Sequence, residues 1–204
     1  MSTPAEVVAF EQPESFRFSP ENIERAKANI AKYPWGRQAS AVLPLLWIAQ
    51  EQNDGWLPRA AMDHVAEILG MAPIRVYEVA TFYTMFNLRP VGRYHLQVCR
   101  TTPCWLRGAD ELTETCKRKL GIGLKGRTAD GKFSLIEVEC LGACVNAPVV
   151  QINDDFYEDL DAKKLEALLD ALARGEKPKM GSQIGRQGSA PEGGPQVLLS
   201  GAGE

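Results

Sequence analysis

Positive charge is not in surplus in this 204-residue sequence: 23 lysines and arginines stand against 26 aspartates and glutamates, for a formal net charge of −3. Without a basic excess nothing draws the chain onto a phosphate backbone, and nucleic-acid binding is disfavoured. No apolar run approaches the roughly 20 residues that a membrane span needs, so no direct span is expected. Histidine is scarce. His64 and His95 are too few and too far apart for a catalytic or metal cluster, and each reads as a packing or surface residue. No C-x-x-C pair occurs, which argues against a dithiol redox enzyme. Residues 1–16 hold Glu6, Glu11 and Glu14 but no Lys or Arg, the reverse of an Arg-rich transit peptide, and they lack the basic start of a secretory signal. A cytoplasmic, bacterial-type location is expected. There, five cysteines read better as ligands or core residues than as disulfides.

What is present suits a folded protein. Hydrophobic residues make up 45% and charged residues 24%, ordinary soluble usage. A chain of this length buries about 70% of the surface its unfolded form exposes, enough for a core without disulfides. After an N-terminus read as flexible over residues 1–17, the pattern over 18–90 is helical. Ser19-Pro20-Glu21 is a helix start, a stripe from Leu43 to Gln50 stops at Asn53-Asp54-Gly55, and a second from Met62 to Leu69 ends at Gly70. A short helix opens at Pro73. These elements suggest a helical bundle that offers no chemistry by itself.

Over 91–175 the period changes. Tyr94–Val98 alternates as a strand, Trp105–Leu120 reads as a helix, and Phe133–Glu139 alternates again. Val149–Ile152 and Phe156-Tyr157 form a hairpin around Asn153-Asp154-Asp155. A last amphipathic helix carries Leu160, Leu165, Leu168, Leu169 and Leu172. This is a small α/β sandwich, with a parallel crossover joining its first two strands. The chain as a whole is then α+β. Residues 176–204 read as a flexible tail, since 181–204 hold seven glycines and two prolines, with one apolar patch at Val197-Leu198-Leu199.

Four of the five cysteines form two close pairs. Cys99 to Cys104 is C-x4-C and Cys140 to Cys144 is C-x3-C, separated by thirty-five residues. Cys99 ends one strand, Cys104 opens the next helix, and Cys140 leaves the following strand. If those strands are parallel neighbours, both pairs emerge at the same end of the sheet. Four converging thiolates suit structural zinc or a [2Fe–2S] cluster, and the C-x4-C spacing and broader loop favour the cluster. Thr101 and Thr102 would supply donors, Pro103 would stiffen the loop, and the helix from Trp105 would point its positive end at the site. Gly142 would let backbone approach the sulfides.

Other features have simpler readings. Cys116 falls inside a helix and reads as a buried apolar residue. Gly121–Gly126 matches G-x-G-x-x-G, but it follows a helix rather than a strand, so it reads as a helix stop and loop. Phe82-Tyr83-Met85-Phe86 reads as core or as the join between the two domains, with a share in a partner interface as the alternative. The acidic stretch from Asp154 to Asp161 reads as a solvated turn leading into a helix.

The runs Val98–Cys104 and Glu139–Pro148 resemble the thioredoxin-like [2Fe–2S] ferredoxin family. The resemblance is closest to the branch formed by the small iron–sulfur subunits of the NADH-oxidising module in respiratory complex I (NADH–quinone oxidoreductase), those of the E type. It extends to Ala80–Phe86 and covers residues 18–175. It implies a thioredoxin-like domain over 91–175, with Cys99 and Cys104 on one iron and Cys140 and Cys144 on the other iron of one [2Fe–2S] cluster. It also implies an electron-transfer subunit with no activity alone, paired with a flavoprotein that binds FMN and NADH. The pair would belong to a larger complex at the inner face of the cell membrane. Related subunits of NAD-dependent formate dehydrogenases and NAD-reducing hydrogenases, and a zinc-stabilised module, are the alternatives.

Overall fold

The computed structural model describes residues 10–187, and these divide between two compact units, Met1–Val91 and Gly92–Glu204. The first unit is helical: α1 (Pro20–Ile30), a 3₁₀ turn at Gln38–Ala41, α2 (Val42–Gln52), α3 (Arg59–Leu69) and α4 (Pro73–Phe82). Ser19 caps α1, its hydroxyl accepting from the Asn22 N–H at 3.2 Å with Pro20 in the first turn, and Gly70 ends α3 in the left-handed region. Leu45, Leu46, Ile48, Leu57, Val65, Val76 and Phe86 fill the core of this unit. Buried Gln50 ties α2 to the segment after α4, donating to the Met85 carbonyl at 3.1 Å and accepting from the Asn87 N–H at 2.7 Å.

Two expectations for this unit change. Of the run Phe82-Tyr83-Met85-Phe86, which begins at the last residue of α4, only Phe86 is buried; Phe82, Tyr83 and Met85 are exposed. The start of the chain is held from Phe10 onward rather than from residue 18. Phe10 packs edge-on against Trp56 with ring centroids 5.4 Å apart, and the Phe18 N–H donates to Nε2 of buried His64 at 3.3 Å. Residues 1–9 lie outside the described residues.

The second unit is a five-stranded mixed sheet with helices. Its elements are β1 (Tyr94–Cys99), α5 (Thr102–Leu106), α6 (Ala109–Leu120), β2 (Phe133–Val138), a 3₁₀ turn at Cys144–Asn146, β3 (Val150–Ile152), β4 (Asp155–Glu158), α7 (Ala162–Ala173) and β5 (Gly181–Ser182). The strand order is β2-β1-β3-β4-β5. β1 and β2 are parallel, in register from Tyr94 opposite Phe133 to Cys99 opposite Val138, while β3 runs antiparallel to β1 and β4. Leu96, Val98, Leu135, Val150 and Ile152 form one core with Leu112 and Cys116 of α6 and Leu165, Leu168, Leu169 and Leu172 of α7. Arg118 to Glu166 at 2.7 Å and Lys119 to Asp170 at 2.8 Å link the two helices at their surface. The G-x-G-x-x-G run is a loop after α6 that returns along β2: the Lys125 N–H donates to Leu135 and the Leu135 N–H to Gly126.

Here too the structure departs from expectation. The helix expected over Trp105–Leu120 is two helices, because Gly108 takes φ +99° and breaks the helical path between them. The tail begins later than residue 176: Gly181 pairs with Tyr157 and Ser182 with Glu158 in a parallel ladder, and the chain is described to residue 187. The Val197–Leu199 patch lies outside the described residues.

Candidate metal centre

Sheet topology brings the cysteines together. Because β1 and β2 are parallel neighbours, Cys99 at the end of β1 and Cys140 just beyond β2 leave the same end of the sheet. β3 enters at that end in the opposite sense, so the chain just before it, Cys144–Asn146, lies there as well. Three backbone links hold the junction. Cys99 N–H donates to the Val149 carbonyl at 3.2 Å, Arg100 N–H to Val138 at 3.1 Å, and Asn146 N–H to Ala143 at 3.0 Å. Cys104 lies within α5, in its first turn, rather than at the head of a long helix.

Two sulfur pairs result. Cys140 Sγ and Cys144 Sγ are 3.4 Å apart, and Cys99 and Cys104 share a hydrogen bond. The first pair in the chain is buried, Cys99 and Cys104 each at 1% exposure, whereas Cys140 is exposed and Cys144 partly so. Donors point at the sulfurs. The Gly142 N–H reaches Cys140 Sγ at 3.4 Å, Thr101 Oγ1 lies 3.4 Å from Cys99 Sγ, and the Leu141 N–H also serves Cys99. Gly142 makes its contact from φ +83°, with open space where a Cβ would stand. Sequence reasoning found Thr101 and Gly142. It missed the Leu141 and Val149 amides, whose part depends on strand register rather than on side-chain type.

The surroundings divide each pair electrostatically. Burial alone raises the Cys99 thiol, but hydrogen bonds from Thr101 and Leu141 to its thiolate outweigh that and lower it. Burial and the adjacent Cys99 push Cys104 up to about 12. The Gly142 N–H lowers Cys140, and its hydrogen bond with Cys140 raises Cys144. Each pair thus sets one sulfur whose thiolate form is favoured beside one whose thiolate form is disfavoured. Each of the four also senses a sulfur of the other pair or a donor from the other loop. Among the described residues, no three His, Cys, Asp or Glu side chains gather at the spacing of a single ion.

The remaining sequence candidates lie elsewhere. Cys116 is fully buried in the α6–α7 core, and burial pushes its thiol up to about 12. Asp161 caps α7, accepting from the Lys164 N–H at 2.8 Å.

A model of the thioredoxin-like [2Fe–2S] ferredoxin family matches residues 26–173. The chain belongs to that family. Within it, the E subunit of NADH-quinone oxidoreductase from Rickettsia bellii is 61% identical over 158 residues, which is 78% of this chain and 95% of the relative. The Rickettsia prowazekii protein of the same name is 56% identical over 166 residues, 81% of this chain and 94% of the relative. Among solved structures, an NAD+-reducing [NiFe]-hydrogenase in the air-oxidised state shares the fold with a TM-score of 0.57 at 24% identity. The likeness covers 64% of this chain and only 23% of that one. Membership of the ferredoxin family brings one [2Fe–2S] cluster as cofactor. The donor set fits it: four thiols in two pairs at one end of a sheet, with backbone N–H groups aimed at sulfur.

Proposed function

We propose that Cys99 and Cys104 bind one iron and Cys140 and Cys144 the other iron of a [2Fe–2S] cluster. Through this cluster the chain exchanges single electrons with the FMN of a partner flavoprotein in the NADH-oxidising module of an NADH–quinone oxidoreductase. The convergence of two cysteine pairs on the shared end of β1 and β2 carries the reading. The near-complete overlap with the Rickettsia E subunits supports the complex assigned to it. A bound [2Fe–2S] cluster supplies reversible one-electron capacity. The chain's own residues do the rest. Buried Cys99 and Cys104 anchor the inner side, Gly142, Leu141 and Thr101 direct donors toward sulfur, and the Cys140–Cys144 loop leaves the outer side close to solvent. Among the described residues no helix is long and apolar enough to cross a membrane. The chain's place is peripheral, at the inner face of the cell membrane, through its partners.

The test is spectroscopic. Purified without oxygen, the chain should be red-brown, bleach with dithionite and carry two irons and two sulfides. Cys104→Ser and Cys144→Ser should lose most of that iron, and Cys116→Ser should keep it. A colourless, zinc-loaded wild-type chain would exclude the redox reading.

A further inference from the structure

Beyond residue 173, where the family match ends, the chain does not leave the domain. It returns to the sheet as β5 and continues to Arg186, and its polar contacts there lead toward the outer cysteine loop. The Gln183 N–H donates to the Glu158 carbonyl at 3.0 Å, and the Ser182 hydroxyl to Asp159 Oδ2 at 2.6 Å. Ser182 Oγ in turn accepts from the Ile184 and Arg186 N–H groups, at 3.3 and 3.1 Å. The Arg186 guanidinium meets both oxygens of Asp159, with Nε 3.2 Å from Oδ2 and Nη2 bonded to Oδ1. Its Nη2 also donates to the main-chain carbonyl of Val145 at 3.0 Å. Val145 is the residue directly after Cys144.

Asp159 is unusual among the surface acids. Its side chain is only 7% exposed, and its backbone sits at φ +54°. Its own N–H donates to the Asn146 carbonyl at 2.8 Å, and Asn146 Nδ2 bonds Glu158. A carboxylate buried to that degree requires a cation, and Arg186 supplies it in a two-point pairing. The same guanidinium then has a donor left for Val145. One charge pair therefore joins three segments: the turn after β4, the last described residues, and the Cys144–Asn146 turn.

We infer that residues 181–186 form a strap in which Arg186, held by Asp159, is a positioning residue for the Cys140–Cys144 loop. The strap keeps that loop in the shape that receives metal. This inference rests on the cluster assignment above only for what the loop holds; the fastening itself is a property of the chain.

Two variants test it. Arg186→Gln in the full-length chain removes the charge, and a chain ending at Met180 removes the strap. Amide exchange at Asn146 and Ala147, read by mass spectrometry of the peptide spanning 140–147, should quicken about tenfold or more in both, as expected for losing a charge-assisted hydrogen bond. Exchange in α2 and α3 should stay unchanged. In the iron-loaded protein, removal of iron by a chelator should quicken several-fold in both variants, and Arg186→Lys should recover part of each effect. Unchanged exchange over 140–147 overturns the strap. So does uniformly faster exchange across the second unit, because that reports general destabilisation. If no iron is bound at all, the cluster assignment fails, and the exchange result still decides for or against the strap.

Discussion

At the scale of single residues, what distinguishes one cysteine from another here is what faces the sulfur. Cys116 and Cys104 are both buried and both pushed up to about 12, yet only Cys104 has a second thiol and the Val149 amide beside it. Sequence spacing draws the same line, because C-x4-C and C-x3-C fix how near two sulfurs can come, whereas Cys116 has no close partner in the chain. His95 is a different case. It lies on β1, with Nδ1 bonded to Ser134 Oγ at 2.7 Å, and its Nε2 is buried with no partner among the described residues. Burial drops its pKa from 6.5 to about 4. A base whose folded pKa is depressed binds its proton better in the unfolded chain. Its neutral form therefore costs the fold nothing above pH 6.5, and stability is lost progressively as pH falls from 6.5 toward 4. By linkage, that loss amounts to about 3 kcal/mol when complete. Urea unfolding at pH 7, 6 and 5 should show a clear fall for the wild type and a flatter profile for His95→Gln. Parallel slopes would show that His95 is not the group responsible.

At the scale of elements, the helices and the strands other than β5 were readable in kind, and the break at Gly108 was not. Ser19-Pro20, Gly70 and Asp161 each carry a capping signal in their own side chain or in its absence, and each does end or begin a helix. Gly108 does not announce itself that way, because the apolar spacing from Trp105 to Leu120 continues through it. The left-handed backbone of Gly108, in open space, turns the chain there. The strap is harder still to read. Arg186 and Asp159 lie 27 positions apart with no motif between them, and glycine content in the last residues points to mobility rather than to docking. Close approach of backbones gives a sharper element-level test. A Cβ on Gly92 would stand 2.3 Å from the Phe133 carbonyl carbon, at the point where β1 begins beside β2. Gly92→Ala should therefore destabilise the second unit by about 1–3 kcal/mol through overpacking against main chain that has nowhere to move. The urea midpoint reports this, and an unchanged midpoint would mean that the strands can slide apart.

At the scale of the whole molecule, the proposed electron exchange requires a second chain. The described residues place an outer cysteine pair near solvent, with Leu106 at 70% exposure just past Cys104 and Val145 at 65% just past Cys144. Apolar side chains so exposed beside a redox centre are suited to burial against a partner. Leu106→Ser should leave the thermal midpoint within about 1 °C, since it removes no core contact, and should weaken co-purification with the flavoprotein. The isolated chain, iron-loaded, should show no NADH oxidation, while the reconstituted pair should. Turnover by the chain alone would place the nicotinamide site within it. In the sequence the expectation of a flavoprotein partner comes through the resemblance carried by Val98–Cys104 and Glu139–Pro148, not through composition. The exposure of Phe82, Tyr83 and Met85 was not legible there, since aromatic residues at the end of a helix look the same whether they face a core or a partner.

The loop following α6 and the short β5 also shorten the open edges of the sheet. Residues 125–128 pair with Phe133–Leu135 of β2, and Gly181-Ser182 pair with Tyr157-Glu158 of β4. One margin is thus covered along the first half of β2, and at the other the two-residue β5 replaces β4 as the edge, so among the described residues little edge strand is offered to another chain.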